Sequence, residues 1–288
     1  NYQEPWWEKN KVVEDYFARL NVMLSQGKII RNILLLHPMS TVWSLLGTSP
    51  YGNPVRRNER DIPKLNEYGE SYNQFIKYLC SMHYDVDLGD ETIISEYGGV
   101  QNGRFQVKDV SYPVVILPPV DTIYQSTYEL LIKFLESGGH LIILGKPPFM
   151  IEGETKCLDH LISHKNCITV KEEKEVISAL ERILPRTVSI TLGGSEEAAH
   201  ILTLAKETND GMLVFVVNND RENEYFVNIH TGAFKKVEEW NALEGSIKEL
   251  VMDNENTGTH FVSSFGKAES KLFYLYKMNN ETSLKKNN

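Results

Sequence analysis

Apolar residues recur at helical spacing from residue 5 to 26. Val12, Val13, Tyr16, Phe17, Leu20, Met23 and Leu24 fall on one face, and Gly27 stops the pattern. The next run, residues 29–36, is β-branched and leucine-rich without polar alternation, which predicts a parallel strand covered on both faces. Residues 37–60 carry Pro38, Gly47, Pro50, Gly52 and Pro54 and read as a long loop. A helix is predicted from Asp61 or Pro63 to about His83, with Tyr72, Phe75, Ile76 and Leu79 on its apolar face. Short buried-type strands then alternate with helical patterns. The strands are predicted at 84–88, 114–117, 140–144 and 168–170, and the helices at 92–97, 126–136, 158–163 and 174–184, with a small ribbon at 105–108.

From Thr187 the period changes. Eight strand-like runs follow one another without helical patterns between them: 188–192, 200–206, 212–218, 225–230, 234–240, 246–251, 260–262 and 271–276. Asn209-Asp210-Gly211 and Asn218-Asn219-Asp220 are turn chemistry, and Tyr225-Phe226-Val227-Asn228-Ile229 alternates clearly. The patterning therefore predicts an open, doubly wound α/β domain over residues 1–186 and a smaller all-β, sandwich-like module over 187–279. A frayed polar tail at 280–288 completes the chain.

Composition narrows the function classes. A chain of 288 residues is long enough for two domains and buries a sizeable core without a disulfide or metal staple. Thirty basic against 39 acidic residues give a net charge of −9, which repels a phosphate backbone, so nucleic acid is not an expected partner. No apolar run approaches the ~20 residues that span a bilayer, so neither is a membrane. The three cysteines, Cys80, Cys157 and Cys167, are spaced neither for zinc nor for a redox pair and read as buried free thiols. Residue 1 is Asn, which reads as a piece of a longer protein or a processed chain. Any targeting signal would lie upstream, so the compartment is left open.

Known catalytic motifs are missing. No glycine fingerprint follows the first strand, no phosphate-binding GxxxxGK[ST] loop occurs, and Pro147 and Pro148 deprive the Gly145-Lys146 turn of donor N–H groups. No GxSxG nucleophile elbow is present. His160 and His164 are four apart but lack the glutamate of a zinc-helix motif. No cofactor and no metal site is expected. In an open parallel sheet, ligands meet the carboxyl ends of the strands. Those ends place His37, Trp43, Tyr51, Asp90 and Glu91 as candidate substrate-binding residues, aromatic faces for a pyranose and carboxylates for its hydroxyls. The competing reading has Asp90 and Glu91 capping the next helix and Trp43 packing beneath the loop. Adjacent in sequence, Asp90 and Glu91 diverge rather than flank a glycosidic bond, so no catalytic residue is assigned.

The runs Gln3-Glu4-Pro5-Trp6-Trp7, Tyr16-Phe17-Ala18-Arg19-Leu20, Leu24-Ser25-Gln26-Gly27-Lys28 and Leu34-Leu35-Leu36-His37-Pro38 carry a family likeness. They resemble the segment after the catalytic barrel in large bacterial glycoside hydrolases of α-L-rhamnosidase-like and β-galactosidase type. Tyr84-Asp85-Val86-Asp87-Leu88-Gly89-Asp90-Glu91, Tyr112-Pro113-Val114-Val115-Ile116-Leu117-Pro118-Pro119 and Phe134-Leu135-Glu136-Ser137-Gly138-Gly139 are similar to their following strands and helix. Val214-Phe215-Val216-Val217-Asn218-Asn219 and Glu238-Glu239-Trp240-Asn241 resemble the β module after them. The resemblance implies a flavodoxin-like, mostly parallel, class I glutamine-amidotransferase-like domain of the β-galactosidase trimerisation type, followed by a β module. It implies a non-catalytic pair of domains that supports the barrel, walls its active-site cleft or mediates oligomerisation, within a parent glycoside hydrolase. The implied partner is the catalytic barrel of the same protein or of a neighbouring subunit, with carbohydrate as a further ligand. The alternative is a carbohydrate-binding module acting independently of a barrel.

Overall fold

The computed structural model describes residues 2–46, 61–255 and 258–278. The chain divides into two compact units. One comprises Arg31–Cys80 and Tyr84–Pro185; the other comprises Asn1–Ile30, Ser81–His83 and Arg186–Asn288, in their described residues.

The first unit is built on a five-stranded parallel sheet in the order Cys167–Val170, His140–Leu144, Val114–Leu117, Ile33–Leu36, Val86–Gly89. Ile33–Leu36 and Val114–Leu117 are buried at every position, as strands covered on both faces must be. One face packs Leu34, Leu36, Val115, Leu117, Leu141 and Ile143 against Ile94, Phe105, Leu131 and Phe134. The helices of this unit are α2 (Met39–Leu46), α3 (Asp61–Ser81), α4 (Glu91–Tyr97), α5 (Gln125–Glu136), α6 (Asp159–Ile162) and α7 (Glu173–Ile183). A capping box between Glu172 and Glu175 starts α7. A meander of Gly98–Gln101, Arg104–Val107 and Val110–Tyr112 stands where a ribbon is expected. Its first turn places Asn102 and Gly103 at φ 51° and 71°.

The second unit is an antiparallel sandwich. A six-stranded sheet contains Ile201–Glu207, Gly211–Asn218, Ser270–Tyr276, Lys236–Asn241 and Ser246–Glu249, with Lys28–Ile29 at its edge. A five-stranded sheet contains Glu196–Glu197, Val188–Gly193, Tyr225–Thr231, Gly258–Phe265 and Asp253–Glu255. Both contribute to one core, in which Ile190, Ile229 and Phe261 meet Val214, Val216, Phe273 and Leu275. The helix α1 (Asn10–Leu24) belongs to this unit: Tyr16 Oη lies 2.7 Å from Ser270 Oγ, and Arg19 donates to the carbonyls of Ala242 and Leu243 at 2.8 Å.

The flavodoxin-like, mostly parallel, doubly wound expectation is corrected, and with it the class I glutamine-amidotransferase-like description. One of the five sheets is wholly parallel, and it holds five of the 22 strands among the described residues. Antiparallel pairing dominates, helices are the minority, and the chain as a whole is β-sandwich-like. The apolar run 29–36 explains part of the error. Ile29 pairs antiparallel with Lys206, whereas Ile33–Leu36 pairs parallel with both neighbours, so one hydrophobic run serves two sheets. The long loop predicted at 37–60 begins with α2, and its remainder from residue 47 lies outside the described residues. The cysteines are free thiols, but Cys157 is exposed rather than buried. Cys167 is pushed up to about 11 by burial, which keeps it a thiol.

Candidate functional site

Three of the five parallel strands are closed by proline or glycine. Pro38 follows Ile33–Leu36, Pro118 and Pro119 follow Val114–Leu117, and Gly145 at φ 77° follows His140–Leu144. Over these ends lies α3, whose Tyr68, Tyr72, Phe75 and Leu79 recur at spacings of four, three and four on one face. The helix is tied down by its tyrosines. Tyr72 donates to the Leu36 carbonyl at 3.3 Å, and Tyr68 donates to the Pro119 carbonyl at 2.5 Å. The first oxygen is at the end of Ile33–Leu36, and the second lies two residues past Val114–Leu117. Burial, with a smaller contribution from the Asp121 charge, pushes Tyr68 up to about 12, and burial raises Tyr72 further. Both phenols therefore stay protonated donors near neutral pH.

Between α3 and the strand ends is a crevice of about 270 Å³ lined by Pro38, Tyr68, Tyr72, Pro118, Pro119 and Leu144. Lys64, Glu67, Ser71 and Glu173 also line it. Glu173 is raised above the usual carboxylate range by partial burial.

Beside the crevice loops, a buried carboxylate organises the chain. Glu91 is 4 % exposed; its Oε1 accepts from the Tyr124 N–H at 2.7 Å and its Oε2 from the Ser40 hydroxyl. Burial raises Glu91 against the opposing effect of these two hydrogen bonds, and the charge of Asp90 adds to the rise. Thr41 closes the same seam, its Oγ1 accepting from the Asp121 N–H at 3.0 Å and the Thr122 N–H at 3.3 Å. Together these bonds join α2 to the segment entering α5.

Glu91 gives a pH-linked prediction. A glutamate raised by folding contributes stability below its ordinary value, and that contribution is lost as pH rises through the folded value. Glu91→Gln keeps an acceptor for Tyr124 and leaves Ser40 a partner, so thermal unfolding should shift by no more than about 1 kcal/mol and lose this pH dependence. Glu91→Ala, which orphans the half-buried Tyr124 N–H, should cost about 1–3 kcal/mol.

The five residues singled out from the sequence are not gathered into one pocket. His37 follows the first parallel strand; its N–H donates to the Gly89 carbonyl at 2.9 Å and its ring lies 5.4 Å from that of Tyr72. Trp43 is 48 % exposed on α2 and does not line the crevice. Tyr51 lies outside the described residues. Asp90 caps α4, its Oδ1 accepting from the N–H groups of Thr92 and Ile93 at 2.8 and 3.2 Å. Glu91 turns inward, so the two adjacent carboxylates diverge. The crevice residues Tyr68, Tyr72, Lys64 and Glu173 were not anticipated. Their signal was available in part, since Tyr68 and Tyr72 are one helical turn apart and Pro-Pro ends the strand beneath them.

No family model matches the chain. A protein of Formosa agariphila named "Putative beta-glucuronidase" is 22% identical over 289 residues, which covers 96% of this chain and 22% of that protein. The structure of a rhamnosidase from Novosphingobium sp. PP1Y superposes with a TM-score of 0.68 at 15% identity, over 96% of this chain and 25% of that one. A β-galactosidase from Bacillus circulans sp. alkalophilus gives a TM-score of 0.58 at 10% identity, over 96% of this chain and 46% of the other. These likenesses show a shared fold along nearly the whole chain. The chain spans about a quarter of the length of the Formosa protein and of the rhamnosidase, and it is a distant homologue of glycoside hydrolases.

Proposed function

We propose that this chain is a non-catalytic domain pair of a longer glycoside hydrolase, supporting the catalytic barrel and helping to wall its active-site cleft. The observation that carries this reading is the end-to-end match. Sequence and fold both align across 96% of the chain with a segment of a much longer protein, rather than with a whole one. The surface of α1 supports it as well. Val12, Val13, Phe17 and Val22 are exposed on that helix, with Trp6 and Trp7 exposed just before it. Contiguous apolar surface of this kind marks an interaction site.

The direct test is hydrolysis of a panel of aryl glycosides by the chain alone and by the longer polypeptide that carries it. Turnover is expected from the longer polypeptide only. Turnover by the isolated chain that disappears in Asp90→Asn or Glu91→Gln would overturn the proposal.

A further inference from the structure

We propose that the crevice beneath α3 binds one neutral pyranose unit. The choice of a sugar rests on the reading above; the place and the selectivity rest on the geometry. The crevice opens at the carboxyl ends of two neighbouring parallel strands, Ile33–Leu36 and Val114–Leu117. The strand next in sequence, Val86–Gly89, lies on the far side of the first of them.

The walls suit a sugar ring. Tyr68 and Tyr72 are held by their hydroxyls on backbone carbonyls, which fixes their rings before any ligand arrives. An aromatic ring offers an apolar, electron-rich face to the C–H face of a pyranose, and Pro119 adds a second apolar surface. Lys64, Glu67, Ser71 and Glu173 supply hydrogen-bonding groups of both kinds for ring hydroxyls. At about 270 Å³ the space falls just below the usual range of ligand sites, about 300 to 1,000 Å³, and so suits no more than a single ring.

The same lining disfavours anions. Two carboxylates face one ammonium, and the prolines at 38, 118 and 119 remove backbone N–H groups from the strand ends, where a phosphate would otherwise be held. A neutral hexoside or 6-deoxyhexoside is therefore preferred over a hexuronoside.

The experiment is protein-observed NMR titration of the full chain with the methyl glycosides of a hexose, a 6-deoxyhexose and a hexuronic acid. Millimolar binding of a neutral glycoside, with shifts centred on Tyr68, Ser71 and Tyr72, is expected. Tyr68→Ala should weaken it about tenfold, Tyr68→Phe should retain it, and Trp43→Ala should leave it unchanged. Ser71→Trp, which fills the crevice from an exposed helix position, should abolish binding and keeps the test sound if Tyr68→Ala does not fold. Absence of shifts with every glycoside, shifts centred on Trp43, or stronger binding of the hexuronoside would each overturn this proposal. None of these results would touch the non-catalytic reading, which the aryl-glycoside assay decides.

Discussion

Exchanging His83 for phenylalanine is expected to destabilise the antiparallel unit by about 3–5 kcal/mol. His83 sits in the left-handed region at φ 58°, and its side chain is completely buried. Its Nδ1 lies 2.5 Å from Glu197 Oε2 and its Nε2 lies 2.9 Å from the Ile201 carbonyl. Each ring nitrogen therefore faces a hydrogen-bond acceptor. Glu197 completes a network. Its Oε1 accepts from Ser189 at 2.6 Å, Oε2 accepts from the Ile190 N–H at 3.2 Å, and Arg186 stands 3.6 Å away.

Burial alone would raise Glu197. The hydrogen bonds from His83 and Ser189 and the charges of His83 and Arg186 outweigh it and hold the carboxyl below its usual range. Removing the imidazole leaves a buried carboxylate without its His83 hydrogen bond, which is the costly half of breaking a buried pair. Chemical denaturation followed by circular dichroism reads the loss, and hydrogen exchange should place it in residues 186–278. A double variant, His83→Phe with Glu197→Leu, should recover part of the stability, because the buried carboxylate is then gone while Arg186 keeps its bond to the Met82 carbonyl. The wild-type network has a pH signature of definite sign. A depressed carboxyl contributes stability above its unfolded value and loses it as pH falls through the folded one, so this contribution disappears in acid.

Phe134→Ala is expected to cost about 3–5 kcal/mol in the parallel-sheet unit. Phe134 is fully buried on α5, in edge-to-face contact with Phe105 of the meander at 5.8 Å between centroids. Gly139 packs directly against it. A Cβ at that glycine would come within 2.0 Å of the Phe134 ring, so the backbone is already at contact distance and has little room to relax inward. Truncation therefore leaves a cavity rather than a collapsed core, and the upper part of the range applies. The expected result is a lower denaturation midpoint together with faster exchange in Val114–Leu117 and His140–Leu144. A change confined to residues 186–278 would show that the two cores had been wrongly separated.

Local structure was legible wherever one segment made its own periodicity. Tyr72, Phe75 and Leu79 marked α3, and the alternation at 225–229 marked a sandwich strand. The parallel strands 114–117 and 140–144 were found from unbroken apolar runs ended by proline or glycine. The strands Glu196–Glu197 and Asp253–Glu255 were not foreseen, because short polar edge strands have no hydrophobic period to display. The candidate site was legible in its position and not in its residues. The crevice lies at strand ends, yet Trp43 stays outside it and Asp90 caps a helix. The residues that do line it come from α3 and α7, whose contribution depends on how those helices lie over the sheet.

By itself the amino-acid sequence determined most helices and core strands, though not α2 or the short polar edge strands, together with the change of rhythm after residue 186, the acidic balance and the absence of known catalytic motifs. These are properties of local spacing and composition, and each segment carries them alone. Tertiary structure alone decided which strands pair, and so overturned the fold class. A backbone N–H and C=O pair equally well with a parallel or an antiparallel neighbour, and one apolar run between Ile29 and Leu36 is shared by two sheets. It also decided the contacts on which the first prediction and the crevice proposal rest. His83 meets Glu197 across 114 residues of chain, and Tyr68 meets Pro119 across 51, and no periodicity reports contacts at such separations.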